Sequence, residues 1–411
     1  MHHTARPADS SGMNETTVLD PQLSPTPAIL SDERLARFRD RAAAHDASGV
    51  YPHDDLAELR TSGWLLAPVP VELGGLGLNL AEVAAGQRLI ARFAPATALS
   101  TSMHLYWVGL GADLARFGHP FGQRILDWAT SGEILASGHG EAGNDIPIAL
   151  STTMAERVPG GWRIHGRKLF GSLGPVWDRL GFHAMDMTDP VAPVVVHGFV
   201  ARQAAGVDVI ATWDAQGMRA TESHDTVLDG AYLSDADVLT VVPAGPSDDP
   251  AVGVMAIWAL TLISNVYLGI AERAMELAIE HCHRATSIAL PAGTVAHHPL
   301  VQARVAEMHL ELAAAQAQLD RLAADWVSGA DHGPAWPIHI FAAKWRSATA
   351  AIRVVDLACD VVGGTSFRRG NELERLSRDV RAARFHPGTD AFTHETIGKA
   401  LLGIDPTGPR W

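Results

Sequence analysis

The feature that most limits how this chain can fold is a succession of three long segments with helical periodicity in its last third, Ala256 to Arg284, His298 to Ser328 and Pro337 to Val362. Sequential helices of that length bury their apolar stripes by packing as an up-and-down bundle. The most apolar stretch, Val252 to Ile270, is broken by Ser264 and Asn265, short of the roughly 18 to 20 continuous apolar residues that span a bilayer. A buried core helix is therefore expected there, and no membrane partner.

Upstream the texture changes. Between Gly132 and about Leu239, short β-rich runs (GGWRIHGRKLF, VAPVVVHGFVA, GVDVIA, TVLDGAYL) separated by Gly, Pro and Asp predict a small antiparallel β-domain. From Ser31 to about Pro120 the pattern is helical, with Ser31 as N-cap and Leu35, Phe38 and Ala42 at helix spacing. The run VPVELGGLGLN, Val69 to Asn79, interrupts it as a structural turn, since its glycines do not form the GxGxxG of a dinucleotide site. The fold class is thus α+β, mainly α. Expected boundaries are 31–131, 132–245 and 246–411, behind a leader, 1–30, too poor in apolar surface to offset the entropy of ordering.

A formal charge of −14 argues against nucleic acid or an anionic membrane, either of which needs clustered Lys and Arg. A small-molecule substrate is the expected partner. Cys282 and Cys359 stand far apart without a CxxC pair, so neither a disulfide framework nor a thiolate metal site is indicated. The HCH at 281–283 and the pair His297-His298 lack the i, i+4 spacing of a helical metal site, so no metal is expected. The leader has no basic start followed by an apolar core, which does not read as a signal peptide and leaves the cytoplasm as the expected location.

Four segments carry chemistry: GHGEAGND (138–145), GWRIHGRKLFGSLG (161–174), WDAQGMRATESHD (213–225) and RDVRAARFHPGTD (378–390). Together they resemble signature segments of the acyl-CoA dehydrogenase superfamily, and the likeness covers about residues 30 to 404. It implies an N-terminal helical domain, a middle antiparallel β-domain and a C-terminal four-helix bundle. It also implies FAD or FMN as cofactor and a homo-oligomer, dimer or tetramer, with the flavin at a subunit interface.

Carried over residue by residue, Phe170 faces the flavin ring and Ser172 reaches its N5 or O4, ordinary strand core being the alternative for Phe170. Ser151 follows GHGEAGND, where relatives hold substrate or flavin; a surface β-turn is the alternative for that segment. Arg284 falls where the family grips the FAD pyrophosphate of a neighbouring subunit, a task suited to a forked guanidinium. Gln302 and the pair Gly363-Gly364 match positions that touch adenosine or pyrophosphate, and Thr389 keeps the family's Gly-Thr pair beside the flavin.

The chain departs from the family at its base. Where the dehydrogenases read Tyr-Glu-Gly-Thr, with the glutamate removing the substrate α-proton, this sequence reads His386-Pro387-Gly388-Thr389. Some relatives seat the glutamate on an earlier helix, and counting back from Leu268-Gly269 reaches Ala259. Neither seat holds a titratable group, so ordinary desaturation lacks its general base. His386 adjoins the vacated seat, and a histidine there resembles the oxygenating branch of the superfamily, the two-component flavin hydroxylases. Imidazole, with an unperturbed pKa of about 6.5, suits proton transfer near neutrality. His104, in SMHLYWVG, is the second catalytic candidate, with a polar handle on an apolar helix as the alternative. The favoured function is a monooxygenase acting through a C4a-hydroperoxyflavin on a small organic substrate. No NAD(P)H fingerprint is present, so reducing equivalents would come from a separate flavin reductase. The alternatives are an acyl-CoA or carrier-bound thioester dehydrogenase with a non-standard base, and a catalytically degenerate flavin-binding subunit.

Overall fold

Three successive layers of structure follow the sequence pattern, in a computed structural model that describes residues 29–405 apart from 147, 289, 291 and 292. The leader expected over 1–30 lies outside the described residues except at its end, where Leu30 is buried in the core. The first layer comprises α1 (Asp32–Ser48), α2 (His53–Thr61), α3 (Leu80–Ala91), α4 (Pro95–Arg116) and α5 (Pro120–Thr130). Ser31 caps α1 by accepting from the Arg34 amide, with Asp32 and Glu33 against the positive end of the helix dipole. The glycine-rich run before α3 is a turn, and it ends in a capping box: Asn79 accepts from the Glu82 amide while Glu82 accepts from the Asn79 amide.

The middle layer is one eight-stranded sheet: β1 (Leu135–Gly138), β2 (Met154–Val158), β3 (Gly161–Gly171), β4 (Arg179–Asp186), β5 (Val194–Ala201), β6 (Val207–Ile210), β7 (His224–Ser234) and β8 (Val238–Pro243). The order is β6-β7-β3-β2-β4-β5-β8, with β1 alongside β4. Most ladders are antiparallel, as expected, but β1 and β4 run parallel, so the sheet is mixed. A parallel pair requires a long crossover, and the β2–β3 hairpin inserted between the two strands supplies it.

The last layer holds α6 (Pro250–Arg284), α7 (Pro299–Ser328) and α8 (Trp336–Val362), followed by the shorter α9 (Glu372–Asp379) and α10 (Asp390–Leu402). The bundle thus has three long helices, with α10 packed on α8 as its short fourth. By length and composition α6 could cross a membrane, yet its apolar window is mostly buried against α3, α4 and α8. The Asn265 half of its polar interruption is satisfied inside the protein, while the Ser264 hydroxyl is buried without a hydrogen-bond partner among the described residues. Asn265 accepts from Arg88 Nε of α3 at 2.6 Å and donates to the Thr261 carbonyl at 2.9 Å, as buried amides must.

Candidate functional site

Two of the sequence motifs meet at the outer end of β3. Ser172 Oγ lies 2.7 Å from Ser223 Oγ, which lies 2.7 Å from Thr221 Oγ1, which donates to the Met218 carbonyl at 2.8 Å. Backbone bonds from Leu173 and Gly174 to Thr221 and Glu222 lock the two segments together. Four non-glycine residues here adopt positive φ: Phe170 (61°), Leu173 (70°), Met218 (53°) and Glu222 (40°). Such conformations cost of order 1–3 kcal/mol each and concentrate where a ligand or mechanism requires them. Phe170 does not pack as strand core. It is 60% exposed, with only the edge of Trp213 nearby at 6.2 Å, so a flat face is left free for a planar ligand. Gly140 bridges to Leu169, where a Cβ would strike the Leu169 carbonyl and crowd the Phe170 ring, so the GHGEAGND segment also abuts this turn.

Ser151 is buried away from that face. Its hydroxyl donates to Glu141 Oε1 at 2.6 Å, so the donor expected for the cofactor is occupied by a carboxylate here. The physical reason is the demand of a buried carboxylate for donors. Glu141 receives Lys168 Nζ at 2.5 Å, Thr153 Oγ1 at 2.6 Å and the Thr152 and Thr153 amides. Burial alone would raise its pKa, but the Lys168 ammonium and these donors pull it down to about 2. The same burial lowers Lys168 to about 8 against the pull of Glu141. Behind this pair, His139, His183 and His197 are buried in a row, with His139 Nδ1 3.0 Å from His183 Nδ1 and the rings of His183 and His197 stacked at 5.9 Å. The sequence reading missed them, although a single histidine in the middle of each apolar run, His183 in β4 and His197 in β5, was a signal.

His386 lies in the loop before α10. Its Nε2 is 2.6 Å from the hydroxyl of Tyr267 on α6, a buried partner that sequence reasoning did not identify. Lys344 of α8, also buried and also missed, donates to the carbonyls of His386 at 3.3 Å and Gly388 at 2.9 Å, fixing the loop. Burial, with Lys344 adding to it, lowers the His386 imidazole to about 3. The near-neutral value expected from sequence does not hold in these surroundings, and His386 is a neutral hydrogen-bonding group at physiological pH. Tyr267 is held well above its ordinary value by burial. Lys344 is pushed down to about 8, again by burial. The Thr389 hydroxyl accepts from the Phe392 amide as the N-cap of α10 and keeps its own proton to donate.

Neither the loop nor Ala259 presents a carboxylate. The buried acid of this region, Asp379, is engaged elsewhere, its Oδ1 accepting from the Met218 amide at 2.5 Å. Burial raises it to about 6. That bond, with Gly217 packed so closely on the Arg378 carbonyl that a Cβ would collide, ties the segment leading to His386 to the Ser172 turn. The Asp379 charge adds to burial in holding the Tyr267 hydroxyl protonated.

His104 does not line this site. It is buried, with Nε2 3.1 Å from the Leu65 carbonyl and Nδ1 accepting from the Leu135 amide at 3.1 Å, and burial lowers it to about 4. Two otherwise orphaned backbone groups claim both ring nitrogens, which makes it a structural residue. Arg284, Gln302, Gly363 and Gly364 lie together at one end of the bundle, where α6 and α8 finish and α7 begins, and all four are exposed. Nothing approaches within 4 Å of a Cβ placed on either glycine, while Ile288 and Phe367 are left uncovered nearby. Open glycine backbone fits a diphosphate, and so does the exposed Arg284 guanidinium, held loosely by the Glu280 carbonyl at 3.2 Å and carboxylate at 3.6 Å. The arrangement is thus compatible with a flavin adenine dinucleotide held between subunits.

The chain matches the family models for the acyl-CoA dehydrogenase N-terminal domain over residues 33–131 and C-terminal domain over residues 261–402. It is 30% identical to the amino sugar nitrososynthase DnmZ of Streptomyces peucetius over 385 residues, covering 90% of this chain and 92% of the relative. It is 29% identical to YdbM of Bacillus subtilis (strain 168), a protein named as an acyl-CoA dehydrogenase, over 89% of this chain and 93% of the relative. Among solved structures, KijD3 in complex with FMN and a dTDP-linked 3-amino-4-keto sugar superposes with a TM-score of 0.79 at 27% identity, over 96% of this chain and 98% of that one.

Proposed function

The chain belongs to the acyl-CoA dehydrogenase family and is a flavin-dependent oxidoreductase; within that family we propose that it is a monooxygenase that oxygenates the amino nitrogen of a sugar-like substrate. The observation that carries this reading is the His386 loop. The seat of the dehydrogenase base holds Pro387, the alternative seat holds Ala259, and between loop and bundle stands a neutral imidazole bonded to Tyr267.

Nitrogen oxidation requires a free lone pair, so the amine must arrive unprotonated. The site favours that form. The His386 loop offers no carboxylate to stabilise an ammonium, Asp379 being engaged by the Met218 amide, and the buried Lys344 cation beneath the loop disfavours a second positive charge. Tyr267, kept protonated by burial, donates to His386 Nε2 and thereby places the imidazole proton on Nδ1, where it can hold a substrate or oxygen atom. Phe170 supplies a face for the flavin ring and Ser172 a hydroxyl for its polar edge. The chemistry a bound reduced flavin supplies is two-electron reduction of dioxygen, one oxygen atom going to substrate and the other to water. FMN or FAD fits this reading, delivered reduced by a separate reductase, and the exposed Arg284 end fits a homo-oligomer.

The test uses labelled dioxygen, a flavin reductase, FMN or FAD, and a dTDP-linked amino sugar. Label in the product nitrogen oxide supports the proposal. Bleaching of bound oxidised flavin by acyl-CoA thioesters without oxygen, with no labelled product, overturns it in favour of desaturation.

A further inference from the structure

We infer that the hollow between α1, α9 and the 215–219 turn is a binding site for a diphosphate-bearing small molecule. The hollow has a volume of about 520 Å³ and is lined by Arg39, Arg219, Arg369, Arg375 and Arg378. A concentration of five guanidiniums is out of keeping with a chain of net charge −14, and mutual repulsion makes it costly unless something answers it.

The acids in the same wall answer it only in part. Asp46 and Glu374 are both taken by Arg378, at 2.6 Å each. Glu372 is taken by Arg273 from outside the hollow, at 2.9 and 3.0 Å. Three arginines are left over. Arg375 has a side chain only 8% exposed, its Nε has no hydrogen-bond partner, and its nearest carboxylate, Glu372, stands 3.9 Å away. Arg39 stacks on Phe93 at 4.1 Å with its Nε also unpartnered. Arg369 is exposed at the mouth and makes no ion pair among the described residues. Arg219 spends its Nε and Nη1 on the Asp46 and Ala215 carbonyls and lies 3.7 Å from the exposed Asp214, so its charge too is only partly balanced.

A buried guanidinium whose only near carboxylate is distant and already bonded to another arginine is an expensive arrangement, and an anion entering the hollow would relieve it. Several forked, planar donors converging on one space match the oxygens of adjacent phosphates, whereas a single carboxylate would answer only one fork. Volume supports the same choice, since about 520 Å³ lies within the range of small-molecule sites of roughly 300–1,000 Å³. The site is distinct from the exposed Arg284 end of the bundle, and it does not depend on the identity of the oxidised substrate.

Calorimetric titration of the full-length protein with inorganic pyrophosphate at low ionic strength is the test. Saturable binding is expected, and Arg369→Ala, a change at an exposed side chain that leaves the fold intact, should weaken it about tenfold. Arg39→Gln should weaken it similarly, with Arg353→Ala, a surface arginine outside the hollow, unchanged from wild type. Absence of saturable binding to the wild-type protein overturns the inference, as does equal affinity in the Arg369→Ala and Arg39→Gln variants. Loss of binding in Arg284→Ala alone would place the diphosphate at the other end of the molecule and also overturn it.

Discussion

Tyr267 and His386 are 119 residues apart in sequence and 2.6 Å apart in space. One comes from the central bundle helix and the other from the loop where the family's dehydrogenases keep their base, so the contact joins the core of the bundle to the chemistry. His386→Ala should lower oxygenation turnover by about 100-fold or more. Tyr267→Phe, which removes only the hydroxyl that fixes the imidazole, should lower it about tenfold. Both should bind flavin as the wild type does. Steady-state kinetics with flavin titrations check this, and full turnover in His386→Ala would remove that residue from the mechanism.

Ser172 presents its hydroxyl at the strained turn, and it is the end of a chain through Ser223 and Thr221. If that chain orients the hydroxyl toward flavin, Ser172→Ala should weaken flavin binding about tenfold, the worth of one well-placed polar contact. Thermal stability should barely change. Quenching of flavin fluorescence measures the affinity, and an unaltered value would assign Ser172 to the structural turn alone.

Lys168 and Glu141 form an almost wholly buried ion pair, at 1% and 0% side-chain exposure. Removing one partner strands the other charge in the sheet. Lys168→Met should therefore destabilise the protein by about 3–5 kcal/mol. Chemical denaturation of both proteins reads the difference directly, and a loss within error of zero would mean that water reaches Glu141.

Acid should weaken the fold well before ordinary carboxylates titrate. Burial holds the imidazoles of His104 and His197 near 4 and of His139 near 3, against an ordinary value of 6.5. Below pH 6.5 the unfolded chain takes up protons that the folded chain refuses, so the unfolded state gains and stability falls as pH drops through that window. His104 alone accounts for about 3 kcal/mol between pH 6.5 and 4. Urea midpoints measured from pH 7.5 down to pH 4.5 should decline steadily, and a flat profile would show that these rings accept protons while folded.

The helices were legible because 3.6-residue periodicity survives in a single sequence: the segments read at 256–284, 298–328 and 337–362 match α6, α7 and α8 closely at their C-terminal ends. The parallel pairing of β1 with β4 was not, since register between strands some 40 residues apart leaves no local mark. Polar side chains divided in the same way. The types at Ser151, Thr389 and His104 suited a site, but residue type does not reveal which partner lies nearest in space, and within the chain those are Glu141, a helix amide and two backbone groups. Tyr267 and Lys344 were missed for the converse reason. In VYLG and FAAKWRSATAA each sits among apolar residues of a core helix, and the local sequence carries no sign of what it meets.

Lys344 gives the sharpest pH prediction. Its ammonium, pushed down to about 8 by burial, holds the carbonyls of His386 and Gly388 and so fixes where the imidazole points. While charged it makes strong bonds to those carbonyls; as pH rises through about 8 it loses the proton, the bonds weaken, and the loop loosens. Turnover should therefore fall on the alkaline side of about 8 while flavin remains bound. Lys344→Met should be slower at every pH and lack this alkaline limb, because no proton is left to lose there. Lys344→Arg, which stays charged, should move the limb to higher pH if the guanidinium reaches the same carbonyls. A purely structural lysine would lower stability on substitution without changing the shape of the pH profile, so an unchanged limb in Lys344→Met would rule out control of His386 by this cation.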